Sequence, residues 1–175
     1  IGHVSRMGDV AVEGGEWMCG PQRPAQIEGV ELRWPGKPED LDIVYRTVGG
    51  GANSRPSRDM SVGEFSGTRG RATPLTAIEF SLAGPARDRY ELTCEALFLG
   101  SGLVSEKGQH VSISGPTGRE PLVGLRLNID RREAIGDRSR PEEDQARDFG
   151  TSRGSHVRVF RSLGKPANKL SDFSR

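Results

Sequence analysis

The 175 residues carry 25 Lys and Arg against 24 Asp and Glu, a formal net charge of +1, which leaves no global field to recruit DNA, RNA or an anionic membrane. The longest unbroken apolar run is the four residues Ala96–Leu99, far short of the roughly 20 needed for a membrane-spanning helix. With 33% apolar residues, 24 Gly and 11 Pro, the composition points to many turns and few long helices.

In chain order, a first strand is expected over His3–Met7. A glycine turn at Gly20-Pro-Gln-Arg23 then runs into Ile27-Glu-Gly29-Val30-Glu-Leu32-Arg-Trp34. The same succession returns twice. A first strand at Asp42–Val48 precedes the turn Gly67-Thr-Arg-Gly-Arg71 and the run Leu75-Thr-Ala77-Ile78-Glu-Phe80-Ser-Leu82. Another at Tyr90–Leu99 precedes Gly115-Pro-Thr-Gly-Arg119 and Leu122-Val-Gly124-Leu125-Arg-Leu127-Asn-Ile129. The turn glycines step by 47 and 48 positions and the arginines by 48 and 48, which marks an internal repeat of about 48 residues.

Each closing run alternates strictly, so Val30, Leu32 and Trp34, then Ile78, Phe80 and Leu82, then Leu125, Leu127 and Ile129 share one buried strand face. A small residue, Gly29, Ala77 or Gly124, precedes each alternation, where a larger side chain would obstruct close packing of neighbouring repeats. Val62–Phe65 and Val111–Ile113 read as short middle strands between Gly-rich turns. A unit this poor in apolar positions cannot bury its own face. The expectation is therefore an all-β, pseudo-threefold closed domain over residues 1–129, with a β-prism preferred and a β-trefoil as the alternative.

Gly2-His3-Val4-Ser5-Arg6-Met7-Gly8, and Val104-Ser-Glu-Lys-Gly-Gln109 running into Gly115–Leu127, resemble the clostridial hydrophobic W (ChW) repeat. That repeat has a His-Val-rich first strand, a Gly-Trp, glycine turns and a closing alternating strand. Asp9 and Ser101 stand where its tryptophan would follow Gly8 and Gly100. The resemblance spans about residues 1–129. It implies a secreted or cell-surface bacterial-type interaction module that holds polysaccharide or a partner protein, and it implies no catalytic residue.

From Asp130 the repeat ends and a polar linker and C-terminal arm run to Arg175. This segment carries 11 basic and 8 acidic residues. Within it His156–Leu163 alternates as one strand, able to pair with its own chain or to extend to a neighbouring subunit of a homo-oligomer or filament.

Arg23, Arg71 and Arg119 could offer three planar forks to anionic or polyhydroxyl groups, or hold carbonyls of their own turns. Trp17 is a candidate stacking platform for a sugar, with Phe65 and Phe98 beside it as further aromatics. The loop from Gly49 to Arg58, with Asn53 and Arg55, is the longest irregular insertion and the best single loop for a ligand contact. His3, His110 and His156 share no metal-ligand spacing, and Glu28, Glu31, Glu79 and Glu120 read as solvent-facing charge. No nucleophile–base pair stands out, so the chain reads as no enzyme and needs no cofactor. Cys19 and Cys94 fit either one disulfide or two packed thiols, too few for a four-cysteine zinc site.

Overall fold

In the computed structural model of the chain, the structure describes residues 1–51 and 54–132. Asn53 and the strand expected at His156–Leu163 lie outside the described residues. The protein is all-β, and the described residues form eleven strands in three antiparallel sheets.

In chain order these are β1 (Gly2–Val4), β2 (Gly8–Val10), β3 (Met18–Cys19), β4 (Ile27–Glu31), β5 (Asp42–Gly49), β6 (Phe65–Gly67), β7 (Leu75–Ala83), β8 (Tyr90–Phe98), β9 (Leu103–Gly108), β10 (His110–Ser114) and β11 (Leu122–Arg131). A 3-10 turn, Arg87–Arg89, links β7 to β8. The first sheet has the order β2-β1-β4-β6, the second β10-β7-β5, the third β3-β11-β8-β9. In the second sheet Pro56 and Met60 bridge Val48 and Tyr45 along the free edge of β5.

The pairing crosses between segments in one consistent sense. β3, from the first segment, pairs with β11 of the third; β6, from the second, pairs with β4 of the first; β10, from the third, pairs with β7 of the second. Each segment therefore lends one short strand to another segment's sheet, and each closing strand lies between a borrowed strand and its own first strand. The three sheets stay open, and no closed barrel forms among the described residues.

Alternation decides what is inside. On β7 the residues Ile78, Phe80 and Leu82 are buried while Ala77, Glu79 and Ser81 are not; on β8 Leu92, Cys94, Ala96 and Phe98 point inward. These rows meet Ile27, Val30, Ile43, Tyr45, Val111 and Leu122 in one apolar cluster. Fully burying a residue such as Phe80 contributes about 2–3 kcal/mol. The Tyr45 and Phe80 rings lie 6.0 Å apart, and the Tyr45 hydroxyl donates to the Glu64 carbonyl. This gives the buried phenol the polar partner it requires.

Several expected boundaries differ. β1 stops at Val4 because Arg6 takes a left-handed conformation (φ 64°) and the chain turns at once into β2. β4 stops at Glu31, short of Trp34, with Pro35 close behind. The middle strand expected at Val62–Phe65 is β6, shifted to Phe65–Gly67. β11 runs on through Asp130 to Arg131, because Asp130 and Arg131 still pair with Glu91 and Tyr90. The short strands β2 and β3 carry too few alternating residues to be seen in the sequence.

Cys19 and Cys94 are both free. They flank β11 on opposite sides, Cys19 opposite Gly124 and Cys94 opposite Leu127. Two strand spacings, roughly 9–10 Å, exceed the reach of a disulfide.

Candidate functional site

Each of the three arginine turns leads from a borrowed strand into a closing strand: Gly67 ends β6, and Gly20 and Gly115 directly follow β3 and β10. Gly20 and Gly67 take left-handed φ values of 93° and 114°, which a side chain would resist. In every case the arginine's main-chain amide holds the turn. The Arg23 N–H donates to the Gly20 carbonyl (3.2 Å), the Arg71 N–H to Glu28 Oε2 (3.1 Å) and the Arg119 N–H to Glu120 Oε2 (3.3 Å). All three side chains are exposed, and among the described residues none of their guanidiniums has a hydrogen-bond or ion-pair partner. The turns are closed without the guanidinium forks, which leaves those forks available.

A second turn lies beside each one. The amides of Ser5, Gly50 and Leu99 donate to the carbonyls of Gln26, Pro74 and Pro121 at 2.9, 2.7 and 2.8 Å. The loop from Gly49 that carries Arg55 is thereby tied to the Arg71 turn. Arg55 is exposed, and Ser54 Oγ closes onto the Gly51 carbonyl at 2.6 Å. Met7 and Leu99 are exposed apolar side chains, at 65% and 54%.

The Arg71 turn is gripped from both sides. Glu28, read from the sequence as solvent-facing, is 2% exposed and accepts the Arg71 amide from within. From outside, His3 Nε2 accepts the Gly70 N–H at 3.0 Å while His3 Nδ1 lies 2.6 Å from Asp9 Oδ1. The hydrogen bond from His3 is the main cause holding the Asp9 carboxyl below its ordinary range. Arg69 adds a bond to Asp9 at 3.4 Å and stacks over the Phe65 ring at 3.5 Å. At the third turn the Glu120 carboxylate takes the Thr117 hydroxyl (2.7 Å) and the Thr117 N–H (3.1 Å), and these bonds lower its pKa.

Among the aromatic candidates, Trp17 is half-buried, its ring against Gly20 and 5.1 Å from the Arg126 guanidinium. It therefore shares the turn region of Arg23. Phe65 lies under Arg69, and Phe98, 1% exposed, belongs to the core. Sequence reasoning missed His3, Asp9 and Glu28 as supports of the Arg71 turn, because the residues they hold lie 43 to 67 positions away. No cluster of His, Cys, Asp and Glu with metal-binding geometry exists among the described residues.

A separate cavity of about 500 Å³ opens around the far ends of β4 and β11, lined chiefly by apolar side chains and by Trp34. No protein-family model, curated protein or solved structure matches the chain.

Proposed function

We propose that the chain is a non-enzymatic interaction module for a surface outside the cell, in which three ChW-like segments form a pseudo-threefold β-prism. Its ligand on this reading is a polysaccharide bearing anionic groups. The cyclic exchange of β3, β6 and β10 supports the threefold reading, since each segment completes another's sheet in the same position. The observation that carries the ligand reading is the set Arg23, Arg71 and Arg119. Three exposed guanidiniums stand at matching turns whose own hydrogen bonds are satisfied by main-chain amides. Each fork can take a carboxylate or sulfate in a pair of charge-assisted bonds. A polymer that presents such groups repeatedly engages several turns at once, so weak single contacts add through avidity.

The test is binding of the purified chain to polygalacturonate, with dextran as the neutral control. Each Arg→Ala substitution weakens polygalacturonate binding by about tenfold, and the triple substitution abolishes it. Equal binding to dextran, or a triple variant that binds as the parent does, overturns the reading. Light scattering in the same buffer separates a ligand-binding monomer from a self-assembling structural subunit.

A further inference from the structure

The cavity lies at the far ends of β4 and β11. β4 ends at Glu31 and β3 is only two residues long. The alternating rows of the first and third segments continue past these points, as Leu32 and Trp34 and as Leu127 and Ile129, and all four line the cavity. In the second segment the corresponding Phe80 and Leu82 are 0% and 6% exposed, whereas Leu32, Trp34, Leu127 and Ile129 stay half-buried around open space, with Val62 and Ile43 across from them. At about 500 Å³ the space falls within the range of small-molecule pockets, which are mostly apolar with a few placed polar groups.

The charged side chains that line the cavity are Glu13, Glu16, Glu31 and Arg33, of which Glu13, Glu16 and Arg33 are exposed. Arg33 Nε is engaged by Glu31 Oε1 at 2.5 Å, and the Ile1 amino group donates to the Glu31 carbonyl at 3.0 Å. Among the described residues Glu16 Oε2 accepts only the Glu13 main-chain amide, at 3.3 Å. Among the described residues neither Glu13 nor Glu16 has a cationic partner. Asn128 adds a neutral polar group.

We propose that this cavity binds a small amphipathic cation, an alkyl or aryl amine. Its apolar part enters between Leu32, Trp34 and Leu127, and its ammonium group rests at the mouth beside Glu13 and Glu16. An apolar lining removes the tail from water, and the two carboxylates select positive over negative head groups. The site does not depend on the arginine turns and stands or falls separately from them.

Three probes with the same eight-carbon tail test it on the full chain by calorimetry below their critical micelle concentrations: octyltrimethylammonium, octyl sulfate and octyl glucoside. The ammonium binds saturably, at least about tenfold more tightly than the sulfate, with the glucoside between them. Leu127→Phe, which fills the space, removes binding of the ammonium. Glu13→Gln with Glu16→Gln, both exposed and neutral to folding, erases the preference among head groups while tail binding persists. Equal affinity for the three head groups, preference unchanged in the double Gln variant, or no saturable binding of the ammonium to the parent chain overturns the proposal.

Discussion

Gly124 on β11 is packed directly on Gly20, so that a Cβ built at Gly124 would lie 2.8 Å from the Gly20 nitrogen. The counterpart in the first sheet is the pair Gly29 and Gly67, where a Cβ on Gly67 would come within 2.5 Å of the Gly29 Cα. Both are the points at which a strand of one segment enters the sheet of another. In the second sheet Ala77 pairs with Ser114 in the corresponding place, so there a methyl is tolerated.

These approaches predict a graded loss of stability. Gly124→Val and Gly67→Ala each destabilise the protein by about 2–3 kcal/mol, from overpacking and, at Gly67, from a φ that alanine resists. Ala77→Gly costs about 1 kcal/mol or less. Urea unfolding midpoints at constant slope measure the order.

The thiols behave as two isolated groups. Burial first, then the nearby carboxylates of Glu106 and Glu95, pushes the Cys94 thiol up to about 12. In the folded protein Cys94 therefore resists a thiol reagent until the chain unfolds, while half-buried Cys19, whose pKa burial also raises, reacts slowly. Because the folded pKa of Cys94 lies above its ordinary value, its contribution to stability is complete below about pH 9 and is lost as pH rises toward 12. Cys94→Ala flattens that alkaline decline. Thiol titration with and without denaturant, and urea midpoints from pH 8 to pH 11, check both statements.

At the acid end the sign reverses. Hydrogen bonds from His3, Arg46, the Ser61 amide and Thr117 lower the carboxyls of Asp9, Asp59, Glu64 and Glu120 respectively. Groups held below their ordinary values stabilise the fold at neutral pH and surrender that contribution as pH falls through the folded-state values. Stability thus declines below about pH 4, and Thr117→Val makes the decline shallower. The readout is the urea midpoint between pH 6 and pH 2.5.

Glu28 is predicted to position a turn more than to hold the fold. The residue at its place in the third segment is Val123, itself 3% exposed, so the site accommodates an apolar side chain. Glu28→Val shifts global stability by no more than about 1 kcal/mol. It accelerates hydrogen exchange at the Arg71 amide at least about tenfold, because that N–H loses its acceptor. Exchange measured by NMR at Arg71, with the Arg23 amide as internal control, decides it.

The β class and the inward faces of β7 and β8 are legible in the residue order, because alternation reports burial directly. The small residues at Gly29, Ala77 and Gly124 likewise announce a close approach before any partner is known. Alternation names a face and never a neighbour, so the exchange of β3, β6 and β10 between segments came only with the tertiary structure. The same holds for Glu28, a carboxylate on a polar-looking position that the fold buries and that the Arg71 amide, 43 residues away, satisfies. Leu32, Trp34, Leu127 and Ile129 read as core because they continue the apolar rows. Whether such a row becomes core or cavity depends on what packs against it, and here the other walls, Val12, Ile43 and Val62, come from distant parts of the chain.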